Sequence, residues 1–170
     1  MLARLCGGID CAVGDVVDTV DAATRSRIMR AVPQSDTSPE LRLRSALHCL
    51  GLRYRLHVQS LPGSPDIVFA APRVAVFAHG CYWHRHPGCK LATTPKSNAV
   101  FWQEKFRDNV ARDHRAVEGL EDDGWAVAVV WQCEVLASAD EVARRISSLV
   151  SQRRRTLNRA ESVRRALNRV

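Results

Sequence analysis

The stretch Trp125-Ala-Val-Ala-Val-Val-Trp131 is an unbroken run of seven apolar residues. A strand that is apolar on both faces is typical of a sheet covered by helices on its two sides, because neither face meets water. A shorter run of the same character, Val74-Ala-Val-Phe77, follows a turn at Pro72-Arg73. The two runs therefore predict two buried strands.

The segments around these runs alternate between strand and helix patterns. Ser38-Pro39-Glu40 has the residues of a helix start: an N-cap, then proline, then an acid in the first turn. After the first helix, the element order α-β-β-β-α-β-α indicates an α/β fold, a sheet covered by helices. We predict helices at about residues 24–32, 38–50, 98–122 and from about Asp140 onwards, and further strands at 54–58 and 66–69.

The composition fits one globular domain. Of the 170 residues, 46% are hydrophobic and 25% are charged, which excludes wholesale disorder. The sequence contains no run of 18 apolar residues, the length needed to cross a membrane, and its first residues lack the pattern of a secretory signal. We therefore expect a cytoplasmic protein, in which six cysteines are metal ligands or free thiols before they are disulfides. We divide the chain into a loose N-terminal extension (1–20), a core domain (21–150) and an arginine-rich C-terminal tail (151–170).

The net charge of +7 is unevenly distributed along the chain. Residues 24–115 carry fifteen basic and six acidic side chains, whereas residues 118–141 carry seven acids and no base. Residues 153–170 add seven arginines and one glutamate. This distribution suits a surface that binds a polyanion on one side, although the solvated face of a mildly basic protein would give the same pattern.

The strongest chemical signal is the stretch His79-Gly-Cys81-Tyr-Trp-His84-Arg-His86-Pro-Gly-Cys89, with two cysteines and three histidines in eleven residues. Its spacing satisfies no helix or strand period. Thiolate and imidazole ligands select zinc, and a structural zinc site takes four of them in a tetrahedron. Cys81, His86 and Cys89 would supply three of these on a short knuckle. The alternative is an unrelated set of surface histidines and buried cysteines.

A fourth zinc ligand must come from another part of the chain. Cys133 is the best candidate, because it follows the buried strand that ends at Trp131, where a sheet edge can meet the knuckle. The other cysteines are Cys49 on a predicted helix and Cys6 and Cys11 in the N-terminal extension.

A second group of polar residues lies close to this knuckle in sequence. If zinc takes His86, then His79 and His84 remain at the end of a strand, where open α/β sheets place their sites. Pro65-Asp66 opens the preceding strand. A carboxylate on one strand and a polar group on the next is typical of metal-dependent nucleases, in which an oxygen ligand holds Mg2+ against a phosphate and a nearby base activates water. Taken alone, the Pro-Asp pair is also an ordinary turn.

Together, these motifs resemble the very short patch repair (Vsr) DNA mismatch endonucleases. The resemblance covers about residues 21–150 and rests on residues 23–30, Glu40, 61–66, 79–98, Phe101-Trp102, 109–113 and 130–133. It implies a restriction-endonuclease-like mixed sheet flanked by helices, with a structural zinc knuckle. It also implies a bacterial, monomeric, nucleoid-associated enzyme that nicks double-stranded DNA in a Mg2+-dependent reaction.

The resemblance further implies the substrate. The family cuts on the 5′ side of the thymine in a T:G mismatch, which arises when 5-methylcytosine deaminates, and so starts very short patch mismatch repair. A functional link to a DNA cytosine-5 methyltransferase follows.

Site residues are carried over by resemblance alone. Asp66 resembles the carboxylate that binds Mg2+, with the backbone carbonyl of Ala78, at which the best-known member has threonine. The remaining matches are His84 as general base with His79 and Asp113 in support, Glu40 as an acid reaching the metal through water, Cys81, His86, Cys89 and Cys133 as zinc ligands, and Tyr82, Trp83 and Trp102 as aromatics that enter the DNA stack. Alternatively, Trp102 packs in the core with Phe101.

Two other functions fit parts of the pattern. One is a non-catalytic, zinc-containing DNA-binding module in which Asp66 and His84 are only structural. The other is a zinc hydrolase with an open metal site at the knuckle. The hydrolase is disfavoured, because three thiolates around zinc quench its Lewis acidity and leave no open position.

Overall fold

The computed structural model describes residues 21–31, 35–96 and 98–168. The chain divides into two compact units, residues 1–32 and 33–170, which are described separately. In the first unit, helix α1 (Ala22–Arg30) begins after Asp21, whose carboxylate accepts hydrogen bonds from the Thr24 backbone amide (2.8 Å) and hydroxyl (3.0 Å). The helix predicted at about residues 24–32 therefore starts two residues earlier, and Asp21 rather than Thr24 caps it. The N-terminal extension predicted at 1–20 lies outside the described residues.

The second unit is built on a four-stranded mixed sheet in the order β1-β2-β3-β4. Its strands are β1 (Arg55–Leu56), β2 (Ile67–Phe69), β3 (Val74–His79) and β4 (Ala126–Trp131). The first three strands are antiparallel neighbours, and β3 and β4 are parallel. The predicted α/β class with a mixed sheet and flanking helices is confirmed.

Three helices complete the second unit: α2 (Ser38–Cys49), α3 (Ala99–Asp122) and α4 (Gln132–Leu167). Val74 and Val76 of β3 pack in one core cluster with buried residues of α2 and α4. Ala75 and Phe77 pack in a second cluster with residues of α3. Alternate residues of β3 thus face opposite helical layers, which explains why this strand is apolar from Val74 to Ala78.

The last helix differs from its predicted start at about Asp140. Helix α4 begins at Gln132 and is kinked at Ser138, which has non-helical angles (φ −158°, ψ 95°). The kink divides α4 into two helical segments, and the Ser138 hydroxyl accepts a hydrogen bond from the backbone amide of Glu141 (3.2 Å) at the start of the second segment. The predicted start at about Asp140 therefore lies close to the start of this second segment. Helix α4 also continues through most of the predicted arginine-rich tail, to Leu167. No helix in the described ranges is long and apolar enough to cross a membrane.

The register of the strands determines which residues meet at one edge of the sheet. His79 and Trp131 are paired at the ends of the parallel strands β3 and β4. Because β2 runs antiparallel to β3, its start also lies at this edge, and Ile67 pairs with Val76. Asp66, the segment after His79 and the first turn of α4 are therefore brought to the same edge.

Candidate functional site

Four soft donors converge where β3 and β4 end. Cys81, His86, Cys89 and Cys133 each place one ligand atom within 4.8 Å of the others. The Nδ1 atom of His86 lies 3.6 Å from Cys81 Sγ and 3.3 Å from Cys133 Sγ. Cys133 reaches the group because it is the second residue of α4, directly after β4. Cys49, by contrast, is exposed at the end of α2.

The protein surroundings of these thiols differ, and the difference indicates how they could hold an ion. Burial raises the pKa of the Cys81 thiol to about 12. The Leu91 backbone amide, which donates to Cys89 Sγ over 3.4 Å, lowers the pKa of Cys89. A buried thiol is deprotonated readily only beside a positive charge, and three thiols with one imidazole form a donor set that a metal ion can satisfy. The group could therefore bind one metal ion.

Local contacts hold two of these ligands in place. The ring of His86 stacks on that of Trp131, with centroids 4.2 Å apart. Glu134 in the first turn of α4 accepts a hydrogen bond from the Trp131 backbone amide (2.9 Å). It also forms an ion pair with Arg145 (3.1 Å). The Arg145 contact lowers the pKa of Glu134, so this cap is ionised and stabilises the helix turn that carries Cys133.

A second group consists of His79, His84 and Asp113, whose ligand atoms also lie within 4.8 Å of one another. His84 Nδ1 lies 2.6 Å from Asp113 Oδ2, and the rings of His79 and His84 stack with centroids 3.9 Å apart. Burial, reinforced by the neighbouring His84, lowers the pKa of His79 to about 4. His79 is therefore neutral at neutral pH, whereas Asp113 orients His84.

Asp66 has an asymmetric environment. Its Oδ2 atom accepts a hydrogen bond from the Ala78 backbone amide over 2.7 Å. Burial nevertheless raises the pKa of the Asp66 carboxyl above its ordinary value, and the nearby Glu40 acts in the same direction. A buried carboxylate beside a second acid requires positive charge, and its hard oxygen suits a cation such as Mg2+.

Next to Asp66 lies a histidine that sequence reasoning missed. His57 places Nδ1 3.9 Å from Asp66 Oδ1 and Nε2 3.2 Å from Glu40 Oε1. Glu40 is only 2% exposed, and Arg44 approaches it to 3.4 Å. No sequence signal pointed to His57, because a lone histidine after a short strand belongs to no spacing motif.

The predicted DNA-contacting aromatics form one cluster. Tyr82 packs edge-on against Trp83 (5.0 Å between centroids) and Phe106 (5.2 Å), and Trp83 lies 6.1 Å from Trp102. Tyr82 and Trp83 are half-buried, whereas Trp102 is 8% exposed and packs on Phe106 at 5.7 Å. Trp102 also contacts Phe101 at 5.4 Å, as the packing alternative expected, but Phe101 is itself 52% exposed.

Comparison with known proteins gives a consistent result. The family model described as "DNA mismatch endonuclease Vsr" matches residues 17–90. The chain is 46% identical to "Type II nicking enzyme V.XorIIP" of Xanthomonas oryzae pv. oryzae over 120 residues, which are 71% of this chain and 88% of that protein. It is 45% identical to "DNA mismatch endonuclease Vsr" of Escherichia coli over 118 residues, covering 69% and 75% of the two chains. It is 44% identical to "Type II nicking enzyme V.NaeI" of Lentzea aerocolonigenes, covering 69% and 72%.

Proposed function

Because the chain belongs to the DNA mismatch endonuclease Vsr family, it is a DNA endonuclease that nicks DNA in mismatch repair, and we propose that its substrate is the T:G mismatch. It would cut double-stranded DNA on the 5′ side of the thymine that deamination of 5-methylcytosine leaves. The mismatch would arise at the sites of a DNA cytosine-5 methyltransferase, and a monomer would act at the bacterial nucleoid. Family membership favours the enzyme over the non-catalytic DNA-binding module.

The observation that carries this proposal is the meeting of three side chains at one sheet edge. Asp66 precedes β2 and His84 follows β3, so the antiparallel register of these two strands places both residues at the same edge of the sheet. Asp113 reaches this edge from α3 through its contact with His84. A hard carboxylate close to an imidazole oriented by a second carboxylate is what metal-assisted phosphodiester hydrolysis needs.

Asp66 and the backbone carbonyl of Ala78 would hold Mg2+. When bound, Mg2+ would neutralise charge on the phosphodiester and stabilise the departing oxygen. The threonine of the best-known family member is replaced by Ala78, so only a main-chain oxygen is offered at this position. Glu40 is buried close to Asp66, and it would act on the ion through water rather than by direct contact.

His84 would act as the general base. Its Nδ1 is engaged with Asp113 over 2.6 Å, which leaves Nε2 as the ring nitrogen that can take a proton from the attacking water. His79 is stacked on it and neutral, so it supports the orientation of His84 without adding a competing positive charge.

The Cys81, His86, Cys89 and Cys133 group would hold a structural zinc ion. Three thiolates and one imidazole fill all four positions of a tetrahedron, the donor set of closed, structural sites. Such an ion would order residues 79–96, a segment with few buried apolar side chains.

The aromatic cluster would recognise the mismatch. A T:G wobble pair is weakly stacked, so inserting side chains beside it costs less than at a Watson–Crick step. Tyr82 and Trp83 are half-buried and can reach a base directly, whereas Trp102 would enter the stack only by leaving Phe106. Within this proposal, residues 21–150 form the endonuclease domain, 1–20 an extension and 151–170 an arginine-rich addition.

The test is nicking of a supercoiled plasmid that carries one T:G mismatch. We expect Mg2+ to convert it to nicked circles, EDTA to stop the reaction, and a fully paired plasmid to stay intact. Asp66→Ala should lower the rate at least about a hundredfold, because metal assistance contributes several kcal/mol, while DNA binding stays intact. Equal nicking of both plasmids would contradict T:G specificity. An Asp66→Ala rate above a tenth of wild type would contradict the ligand role.

A further inference from the structure

We propose that His57 is a nitrogen ligand of the divalent cation bound by Asp66, with Glu40 holding the other side of its ring. The inference rests on the metal-dependent function proposed above. It assigns the ion a mixed nitrogen and oxygen donor set at the side of Asp66 that faces β1.

The first argument is that the two carboxylate oxygens of Asp66 have different neighbours. Oδ2 is occupied by the Ala78 amide at 2.7 Å, whereas Oδ1 faces His57 Nδ1 at 3.9 Å. A separation of 3.9 Å is too long for a hydrogen bond. It is a suitable separation for two ligands of one ion, because metal–ligand bonds of about 2.0–2.3 Å allow ligand atoms up to about 4.5 Å apart.

The second argument comes from the opposite side of the ring. His57 Nε2 is buried and lies 3.2 Å from Glu40 Oε1, but it forms no hydrogen bond with any described residue. A buried polar nitrogen without a partner is costly. Histidines that bind metals usually give their second ring nitrogen to a carboxylate, and Glu40, 2% exposed, is placed for that role. A small rotation of the ring would form both contacts.

The third argument is that the backbone holds His57 close to Asp66. Leu56 pairs with Ile67, and the His57 amide donates to the Asp66 carbonyl over 3.2 Å. His57 has φ of 45°, in the left-handed region that few residue types other than glycine, asparagine, aspartate and histidine adopt readily. Its position is therefore tied to the same strand pair that positions Asp66.

A separate metal site made of Asp36, Glu40 and His57 is less favourable. Their ligand atoms also lie within 4.8 Å of one another. However, the guanidinium of Arg44 already contacts both Asp36 and Glu40, so positive charge is present on that side. On the Asp66 side, His57 Nδ1 and Asp66 Oδ1 are separated by 3.9 Å, which leaves room for an ion between them.

A nitrogen donor has a measurable consequence for metal choice. Imidazole raises affinity along the series from Mn2+ to Ni2+ more than it raises affinity for Mg2+, which prefers oxygen. We therefore expect the protein to bind Mn2+ through a histidine nitrogen, and to lose selectivity for Mn2+ over Mg2+ when His57 is replaced.

The experiment is pulsed EPR on the zinc-loaded, full-length protein titrated with Mn2+. Histidine ligation produces a 14N modulation of the Mn2+ signal, and the free Mn2+ signal gives the affinity. His57→Asn tolerates the left-handed backbone, and His57→Gln offers an amide of longer reach, so one of the two should fold, as judged by thermal unfolding. His48→Asn is the matched control, because His48 is exposed on α2.

We expect the 14N modulation in the wild type and in His48→Asn, its loss in both His57 variants, and Mn2+ affinity in those variants that is about tenfold lower or more. If Mn2+ binds in an Asp66-dependent way while the modulation is absent, or persists without His57, the inference is overturned and the nuclease function stands. If Asp66→Ala leaves Mn2+ binding unchanged, the metal role of Asp66 in the proposed function fails, and the inference fails with it.

Discussion

The two groups of potential metal ligands, one at the ends of β3 and β4 and one between β1 and β2, are assembled in opposite ways. Three of the four soft donors, Cys81, His86 and Cys89, lie in one short loop. The carboxylate cluster takes Glu40 from α2, His57 from the residue after β1, and Asp66 from the residue before β2. One cluster is local in sequence and the other exists only because strands pair.

The difference indicates what a bound ion would contribute in each cluster. The soft cluster lies in a segment without regular secondary structure, so an ion there would replace a missing hydrophobic core. The carboxylate cluster lies on elements that are already ordered by packing, so an ion there would add chemistry rather than fold. Loss of ligands should therefore affect stability in the first cluster and turnover in the second.

The largest effect should follow loss of a soft ligand that lies outside the loop. Cys133→Ser should release zinc and lower the unfolding temperature by about 10 °C or more, because the binding energy of a structural ion is folding energy. Zinc content and thermal unfolding are the measurements. The exposed Cys49→Ser is the control and should change neither. A Cys133→Ser protein that keeps one zinc per chain removes Cys133 from the ligand set.

The next effect sharpens the catalytic side of the comparison. Asp113→Asn should slow single-turnover nicking about 10- to 100-fold, because it removes the carboxylate that orients His84, and His84→Ala should slow it by about 10²–10⁴. Thermal unfolding should stay near that of the wild type. Asp108→Asn, an exposed change on the same helix, is the control. Equal rates for wild type and both site variants would transfer the base role away from His84.

A smaller effect separates recognition from packing at the aromatic cluster. Trp83→Ala should weaken binding to a T:G duplex about ten- to a hundredfold, because stacking on a base is worth about 1–3 kcal/mol. Binding to fully paired DNA, which depends on phosphate contacts, should change little. Phe101→Ala, at an exposed neighbour of Trp102, is the control. An equal loss on both duplexes would make Trp83 a packing residue.

The smallest effect concerns the helix start that carries Cys133. Glu134→Gln should lower the free energy of unfolding by about 0.5–1 kcal/mol. The expected loss is small because Arg145 is 56% exposed, so solvent screens its ion pair with Glu134. Arg145 lowers the pKa of Glu134, so the stabilisation is present above the ordinary value of 4.5 and is lost as the pH falls through the folded value. Denaturant unfolding at pH 7 and pH 3.5 measures it, with Glu118→Gln as control. A difference between variant and wild type that is the same at both pH values would contradict the ionic role.

Strands β3 and β4 could be predicted because both are runs of apolar residues, although β3 is buried along most of its length and β4, predicted to be buried, is mostly half-buried. The start of α4 could not. Residues 132–137 contain no glycine or proline, and their cap is formed by the backbone of Trp131 with Glu134 rather than by a serine or aspartate. The sequence signal for a helix start appears only at Ser138, where the kink lies.

By itself, the sequence predicted the α/β class and the loop with the soft donors, since both depend on residue type and short spacing, whereas Asp66 was singled out by resemblance to a known family. Only the tertiary structure decided that Cys133 closes the soft cluster, that Asp113 holds His84, and that His57 stands between Glu40 and Asp66. The physical reason is register: strand pairing and helix packing place residues that are far apart in the chain within ångströms, and no local pattern carries that distance.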